Sequence, residues 1–452
     1  MKKVRIGHAT AYARDRFTHA TDLVSRGDIN YICFETMSEV TMSSTKVNNF
    51  GKANPRLFDP YLEDRIRPIL KDCMEKGIKI ISNQGWMDPI GAANVVAEIA
   101  KEQGVHCKIA AVYNGTDVMQ VLFDKDIEIQ DINKRISDYD KDKIVSAEVY
   151  FGADGIKEAL QNGADIVLTT RIVDSALYLG PLAYEFGWDL DDTMLCAKGS
   201  IIGHLMECGC QVSGGTFADP GYKEVPDLAH VGAPIIEVTE DYVHLTKVPG
   251  SGGAVTMETV TEQMLYEITD PTCYILPNVV VDFSDIHFEQ VEKDVVAITG
   301  FKGHPRPEKL KVMIGFMEGY MNEQMIAWNG LGAMERAKLC KEILLERFEV
   351  VGFHPKDFRW DFVGIDSVSR EITPDYVANL KPWEVILRIA CKDESKEMCD
   401  LLKKEVDPLA NNGVSFSGKV GTFGATSRPV IGMQSALIDR EDACECISYI
   451  EA

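Results

Sequence analysis

The stretch Asp165-Ile166-Val167-Leu168, followed at once by Thr169-Thr170-Arg171, decides the fold. A short apolar run that ends in polar residues and lies between two helical patterns is typical of a strand buried in a parallel sheet. The same alternation of apolar runs and helical patterns extends back to the start of the chain. The fold class predicted for residues 1–190 is therefore α/β, with a parallel-sheet βα domain.

The other elements of this domain follow from apolar runs and from glycine and proline stop signals. Strands are predicted at Val4–Gly7, Tyr31–Phe34, Ile78–Ile81 and Lys108–Val112, with a further candidate at Ile144–Val149. Helices are predicted at Thr21–Arg26, Asp59–Lys76 with a kink at Pro68, Pro89–Gln103, Ile156–Gln161 and Val173–Phe186.

Two further parts are predicted beyond Gly187-Trp188, where the rhythm of the sequence changes. Residues 191–300 are expected to form a β-rich segment with glycine-rich loops, packed on the first domain. Its predicted elements are hairpin strands at Ile235–Val238 and Val243–Lys247, a helix at Thr259–Tyr266 and a strand at Ile275–Phe283. Residues 301–452 are predicted to be an α+β domain.

The predicted order of that last domain is strand, helix, strand, strand, helix, which is compatible with a ferredoxin-like layer. Its elements are predicted at Leu310–Phe316, Leu331–Phe348, Phe358–Ile365, Glu384–Ala390 and Ser395–Glu405. The tail from Gly418 to Met433, with Gly421 and Gly424, is expected to fold back as a loop over a neighbouring domain.

Composition limits the function. Lys and Arg number 47 against 70 Asp and Glu, and the resulting net charge of −23 disfavours nucleic acid and anionic membranes as partners, because both need clustered basic residues. No secretory signal or membrane-spanning run is visible. The twelve cysteines are scattered without a C-x-x-C pair, which indicates free thiols and a cytoplasmic location.

Polar side chains follow the predicted parallel strands at the ends where such sheets bind ligands. Asn83 follows the third strand, Asn114 and Asp117 follow the fourth, and Arg171 with Asp174 follows Leu168. A guanidinium group matches a carboxylate or phosphate with two hydrogen bonds, so Arg171 is the predicted anion clamp. The alternatives are helix caps for the polar residues and an Arg171–Asp174 ion pair.

The segment Gly203 to Gly215 carries the candidate catalytic groups. His204 and Glu207 are three residues apart, so they share one face of a helical turn and suit proton transfer. The backbone N–H groups of Gly214 and Gly215 are candidates for stabilising developing negative charge. The alternative is a glycine-rich crossover with a satisfied histidine.

Two loops and a thiol complete the candidates. Cys208 is a candidate nucleophile, whereas a metal site built on His204 and the C-x-C pair is weaker than inert thiols, so no metal site is predicted. Ser251, Gly252 and Gly253 precede a helical pattern and form a candidate anion loop, with a simple turn as the alternative. Arg428 in the tail is a second candidate anion contact.

These motifs resemble the AtuA-like family, named after an acyclic terpene utilisation protein. The resemblance covers most of the chain and is carried by the following residues: Arg5-Ile6-Gly7, Ala164-Asp165-Ile166-Val167, Arg171, Asp174, Gly187-Trp188, Gly203-His204, Glu207-Cys208-Gly209, Gln211, Gly214-Gly215, Gly252-Gly253, Gln263 and Tyr266-Glu267. It implies a catabolic enzyme of acyl-CoA or organic-acid degradation, some of whose relatives carry, or work beside, a small ferredoxin-fold partner.

We therefore expect a lyase-type enzyme, a hydratase, dehydratase or related enzyme that adds or eliminates water or an amine at a small carboxylic acid or acyl-CoA thioester. Asp174, His204, Glu207 and Cys208 are its candidate catalytic residues. Neither nicotinamide nor flavin is expected, and CoA enters only as part of the substrate. The alternatives are a non-catalytic metabolite-binding subunit and a cysteine-dependent hydrolase or transferase. Homo-oligomers are common for enzymes of this size, and one is expected here.

Overall fold

The computed structural model describes residues 2–49, 55–130, 132–415, 418–420 and 426–452. The chain forms two compact units: the first consists of Met1–Lys141, Val145–Gly315 and Met433–Ala452, and the second of Asp142–Ile144 and Phe316–Gly432. None of the helices in the described ranges is both long and apolar enough to cross a membrane.

The described strands have the following bounds: β1 Val4–Thr10, β2 Tyr31–Phe34, β3 Lys79–Ser82, β4 Lys108–Asn114, β5 Glu128–Ile129, β6 Lys134–Arg135, β7 Ile144–Val149, β8 Ile166–Thr169, β9 Pro234–Val238, β10 Val243–Lys247, β11 Tyr274–Ile275, β12 Val280–Val281, β13 His287–Glu292, β14 Val295–Thr299, β15 Gly303–His304, β16 Lys309–Asn329, β17 Asp357–Val363, β18 Glu384–Asp393, β19 Gly418–Val420, β20 Arg428–Asp439 and β21 Glu445–Glu451.

The described helices have the following bounds: α1 Thr18–Arg26, α2 Glu39–Asn49, α3 Leu62–Ile66, α4 Leu70–Lys76, α5 Pro89–Gln103, α6 Val118–Asp124, α7 Asp154–Gln161, α8 Ala176–Phe186, α9 Thr193–Glu207, α10 Met257–Leu265, α11 Ala333–Val351, α12 Asp375–Ala378, α13 Lys396–Val406 and α14 Leu409–Asn412.

The first unit is built on one mixed sheet with the strand order β13-β14-β10-β9-β1-β2-β3-β8-β4-β21. The five central strands β1, β2, β3, β8 and β4 are parallel, as the sequence predicts, and antiparallel strands extend the sheet on both sides. Every residue of β8 is buried, which is why this strand reads as an uninterrupted apolar run.

Helices cover both faces of the central strands. Ile32 and Phe34 of β2 belong to the core that includes α1 and α5. Cys33 of β2 instead hydrogen-bonds through its thiol to the carbonyl of Leu177 in α8. Because successive side chains of a strand point to opposite faces, α8 covers the face opposite α1 and α5. This doubly covered parallel sheet confirms the predicted α/β fold class.

The structure differs from the predicted boundaries in the middle of the chain. Strands β9, β10, β13 and β14 extend the same sheet as β1, so residues 191–300 belong to the first unit and the expected breaks at 190 and 300 do not separate the two units. This segment also contains the 15-residue helix α9, where a β-rich segment was expected. The predicted strand Ile275–Phe283 is the short hairpin of β11 and β12.

Two predictions in the first domain are corrected as well. The long helix expected at Asp59–Lys76 is interrupted into α3 and α4, because Pro68 lacks the N–H that a continuous helix needs. The candidate strand Ile144–Val149 forms as β7, but it pairs with β16 and not with the parallel strands.

The second unit has the element order β16, α11, β17, β18, α13, β20 and the strand order β17-β18-β16-β20. This βαββαβ order, with antiparallel β16–β18 and β17–β18 pairs, is the ferredoxin-like arrangement that the sequence predicts. The tail expected to fold back as a loop instead forms β19 and β20. Gly421 and Gly424 lie outside the described residues.

Candidate functional site

The carboxyl ends of neighbouring strands β2, β3 and β8 carry the polar cluster of the first unit. Glu35 follows β2, Asn83 follows β3, and Arg171 follows β8; all three are buried. Asn83 accepts a hydrogen bond from the N–H of Thr36 at 2.8 Å and donates one to Oε1 of Glu35 at 3.3 Å. Glu35 Oε1 also accepts the N–H of Met37 at 2.9 Å. The amide of Asn83 therefore joins two strand ends and fixes one oxygen of Glu35.

Arg171 is held by protein groups. Its Nη1 donates to Oδ1 of Asp174 at 2.9 Å and to the carbonyl of Met37. Its Nη2 lies 3.7 Å from Oε1 of Glu39, and its guanidinium carbon lies 4.2 Å from the ring centre of Tyr150. The side chain is 4% exposed. The ion pair with Asp174, which was the alternative interpretation, is thus formed. Nε of Arg171 is buried and has no hydrogen-bond partner in the described part of the chain, so its role as an anion clamp stays a prediction.

The histidine and carboxylate of the central segment form a buried pair at the end of α9. Nδ1 of His204 lies 3.2 Å from Oε1 of Glu207, and Nε2 lies 3.1 Å from the carbonyl of Met264. Burial opposes a charge on the imidazole, but the hydrogen bond and the charge of Glu207 raise the pKa of His204 above its ordinary value. Both ring nitrogens face acceptors, which favours an imidazolium that donates from each nitrogen.

Gly203 brings this pair close to Asp174. A Cβ on Gly203 would lie 2.4 Å from the Cα of Ser175, so only glycine allows α9 to approach the turn after β8 this closely. The charge of Glu207 accordingly acts on Asp174. The structure thus brings the carboxyl groups of these two segments into one electrostatic environment.

The carboxyl groups of this cluster have shifted proton affinities. Burial is the largest cause that raises the pKa of Asp174 to about 6; Arg171 opposes the shift and Glu207 adds to it. Burial, with Asp174 as the next cause, raises the pKa of Glu35 well above its ordinary value. The side chains of Asp174 and Glu207 remain 26% and 11% exposed. Glu35, whose raised pKa favours its neutral form, thus lies beside carboxyl groups that are partly open to solvent.

Two residues that the sequence analysis missed complete the cluster. His8 lies in β1, and its Nδ1 is hydrogen-bonded to the hydroxyl of Tyr178 in α8. Burial is the main cause that lowers the pKa of His8 to about 4, so this imidazole is neutral. The charge of Glu207 also acts on Tyr178. The sequence signal for His8 was a histidine between two small residues, Gly7 and Ala9, of the first strand.

The thiols of the C-x-C pair are protonated. Burial and the nearby charge of Glu207 raise the pKa of Cys208, and burial raises the pKa of Cys210. A nucleophilic cysteine needs the opposite shift, so the predicted role of Cys208 as a nucleophile is not supported. Within the described ranges, no group of three or more His, Cys, Asp and Glu side chains is arranged to hold a metal ion.

Asn114 and Asp117 have local roles that were the alternative interpretation. Oδ1 of Asn114 accepts the N–H of Thr116 at 3.0 Å, which forms a turn, and Oδ1 of Asp117 accepts the N–H of Gln120 at 3.0 Å, which caps α6. Arg428 is exposed at the start of β20 and belongs to the second unit.

The glycine-rich candidates use their N–H groups inside the protein. Gly214 donates to the carbonyl of Gln211 and Gly215 to that of Cys210. In the second loop, the N–H groups of Ser251, Gly252 and Gly253 donate to the carbonyls of Val248, His230 and Pro226, respectively. Each of these N–H groups is already bonded to a backbone carbonyl. The predicted oxyanion and anion-loop roles are therefore corrected to structural turns.

The fold and the cluster define an α/β protein with buried ionisable side chains at the carboxyl edge of its parallel strands. The chain belongs to the family of acyclic terpene utilisation family protein AtuA, whose family model matches residues 4–449. No curated protein matches the chain. Among solved structures, it matches that of homoserine dehydrogenase from S. aureus at 10% identity, with 89% of this chain and 84% of that chain covered and a TM-score of 0.14, a likeness too weak to support an argument.

Proposed function

We propose that the chain is a lyase-type enzyme that adds or eliminates water or an amine at a small carboxylic acid or CoA thioester by acid/base catalysis. The observation that supports this proposal is the convergence of Glu35, Asp174 and Glu207 at one sheet edge, where burial raises the pKa of Glu35 and Asp174. Carboxyl groups whose pKa is raised toward neutral pH are typical of proton-transfer sites.

In this proposal the base is Asp174. With a pKa of about 6 it is mostly ionised at neutral pH and still basic enough to accept a proton from carbon or water. Arg171 binds Oδ1, which leaves Oδ2 to receive the proton. Glu207, oriented by His204, sustains the pKa of Asp174 through its negative charge.

The acid in this proposal is Glu35, because burial raises its pKa and so favours the protonated form. Asn83 and the N–H of Met37 hold Oε1, so the acidic proton belongs on Oε2. It is donated to the departing hydroxide or amine in elimination, and Glu35 takes it back in the reverse addition. The two steps together balance the proton that Asp174 accepts.

Lys311 is a further proposed contact for the substrate anion, besides Arg171. Its Nζ lies 4.8 Å from the ring centre of Tyr150, whose ring also packs on Arg171. The residue as a whole is exposed, yet its ammonium is close enough to the protein that desolvation lowers its pKa. The charge of Asp174 acts on this ammonium, so a substrate anion bound to Lys311 would lie near the proposed base.

A thermal-shift screen of CoA thioesters and dicarboxylates, followed by turnover of each hit, tests the proposal. Asp174→Asn and Glu35→Gln should each lower kcat by about 100-fold or more, whereas Asp117→Asn should not, because asparagine also caps α6. Full activity in both Glu207→Gln and His204→Ala would remove the central segment from the mechanism. Binding without turnover would favour a metabolite-binding subunit.

Three further expectations belong to this proposal: a cytoplasmic location, self-association, and work beside a small ferredoxin-fold partner. A C-terminal ferredoxin-like unit lies within this chain, so the partner would be a second such fold. Size-exclusion chromatography with light scattering, with and without the product of a neighbouring gene, tests both forms of association.

A further inference from the structure

Cys444 and Cys446 form a pair of thiols at the start of β21, separated by one residue. Their sulfur atoms are 3.8 Å apart. Cys444 is exposed and Cys446 is half-buried. Glu445 between them turns to the other side, where its carboxyl carbon would lie 2.6 Å from a Cβ on Gly155. The alternation of a strand thus puts both sulfurs on one face.

The backbone on both sides of this pair is fixed. The carbonyl of Cys444 accepts the N–H of Gly115 at 2.8 Å, and its N–H donates to Oγ1 of Thr116 at 2.8 Å. Cys446 is paired with Tyr113 of β4. A Cβ on Gly115 would lie 2.6 Å from the sulfur of Cys446, so this glycine leaves the space that the thiol occupies. The two thiols are therefore held near each other by the sheet.

We propose that Cys444 and Cys446 are a modification site at which a low-molecular-weight disulfide oxidises the pair reversibly. The thiolate of Cys444 attacks one sulfur of the small disulfide, breaks its S–S bond and releases the first small thiolate. The thiolate of Cys446 then attacks the sulfur of Cys444, forms the internal disulfide and releases the second. The two protons lost by the protein thiols pass to the two departing thiolates, so one small disulfide is reduced as one protein disulfide forms.

The geometry sets the order and the outcome of these steps. Cys444 reacts first because it is exposed and thiol exchange requires access to the attacking sulfur. The hydrogen bond with Cys444 raises the pKa of Cys446 in the reduced pair, and the mixed disulfide on Cys444 removes that hydrogen bond. The second step is intramolecular between atoms that start 3.8 Å apart, so it outpaces encounter with another molecule. The mixed disulfide on Cys444 is therefore short-lived.

The same geometry makes the internal disulfide easy to reduce. Cα atoms two residues apart on an extended strand are about 6.6 Å apart, close to the upper limit of about 6.8 Å for a disulfide. Closing the bond must draw the start of β21 together against its hydrogen bonds to Gly115 and Thr116. Reducing thiols should thus reopen it without unfolding the protein.

Cys273 provides the matched comparison. It is exposed, as Cys444 is, so it is open to the same oxidant. The remaining cysteines apart from Cys446 are buried or half-buried, and burial raises the thiol pKa of, for example, Cys33 and Cys73.

Incubation of the full chain with glutathione disulfide, followed by alkylation, digestion and mass spectrometry, tests the proposal. We expect the peptide with Cys444 and Cys446 to lose two hydrogens, alkylation of both thiols to fall by about tenfold or more, and reduced glutathione to restore it. In Cys446→Ser, Cys444 should instead retain glutathione, as Cys273 does in every variant. The melting temperature of Cys446→Ser should match that of the parent protein.

Two outcomes would overturn the proposal. One is a persistent glutathione adduct on Cys444 while Cys446 is present. The other is a pair that remains fully open to alkylation under conditions in which Cys273 reacts.

Discussion

Replacing Glu207 with glutamine tests the charge that the structure assigns to His204. The two side chains are 1% and 11% exposed, with 3.2 Å between Nδ1 and Oε1. Removing one partner of a buried ion pair costs about 3–5 kcal/mol, and partial exposure of Glu207 favours the lower end of that range. We therefore expect Glu207→Gln to lower the free energy of unfolding by about 3 kcal/mol below neutral pH.

The sign of the pH dependence is the sharper test. In the parent protein the pKa of His204 is raised, so its stabilisation is fully present below the unfolded pKa of about 6.5 and is lost as pH rises through the folded value. In Glu207→Gln the imidazole has lost its anion, and we expect burial to outweigh the carbonyl of Met264 and the charge of Glu267, so that the pKa of His204 falls. Its contribution is then present above about pH 6.5 and lost on acidification.

Scanning calorimetry between about pH 5 and pH 9 measures both curves, since it covers the titration of a histidine on either side of its ordinary value. His230 and Asp227 are a matched control, because they are also three residues apart with a 2.8 Å contact but are 77% and 56% exposed. Asp227→Asn should change the unfolding free energy by less than about 0.5 kcal/mol. A Glu207→Gln curve that keeps the slope of the parent protein would refute the imidazolium assignment.

Three further predictions concern the same cluster. Arg171→Met leaves Asp174 and the carbonyl of Met37 without their cation and should lower the free energy of unfolding by about 3–5 kcal/mol in urea titration, whereas the exposed Arg428→Met should change it by less than about 0.5 kcal/mol. Gly203→Ala puts a Cβ within 2.4 Å of the Ser175 backbone and should cost about 1–3 kcal/mol; unchanged stability would mean that α9 does not need this close approach. Once a substrate is found, the acid limb of the pH–rate profile should lie near 6, the value to which burial raises the pKa of Asp174, and should disappear in the residual activity of Asp174→Asn.

The parallel strands could be predicted from the sequence because a strand that is buried on both faces appears there as a continuous apolar run. Residues of β8 and β2 are apolar at successive positions, which no surface strand or loop requires. Because Asn83, Arg171 and Asp174 follow predicted strands, they could be placed at one edge of the sheet without knowledge of the tertiary structure. The ferredoxin-like order was similarly recoverable from the succession of elements.

The sequence of helix α9 carries no comparable signal of its secondary structure. The helix is buried on nearly all sides and includes Gly199 and Gly203, so it lacks a polar face that would reveal a helical period, and its glycines read as a loop. The reason for those glycines is the close approach of α8, which only the tertiary structure contains. Predicting the helix would have placed Glu207 at its end and beside Asp174.

The hydrogen-bond partners of polar groups were the second feature that could not be predicted from the sequence. Whether the N–H of Gly252 meets a ligand or the carbonyl of His230 depends on a segment twenty-two residues away in sequence. Arg171 was similarly assigned to an anion, and its Nη1 binds Asp174 and Met37. Residue type restricts what a group can bind, but tertiary contacts decide which partner it finds.

The position of β21 has a consequence for synthesis of the chain. This strand pairs along its whole length with β4. The outer edge of residues 108–114 therefore lacks its partner strand until residues 445–451 have been synthesised. The ribosome synthesises the entire ferredoxin-like unit after β4 and before β21. That unit is continuous from Phe316 to Gly432 apart from a three-residue segment, so it can acquire its structure during translation, while the edge of β4 stays unpaired and exposed to wrong partners for much longer.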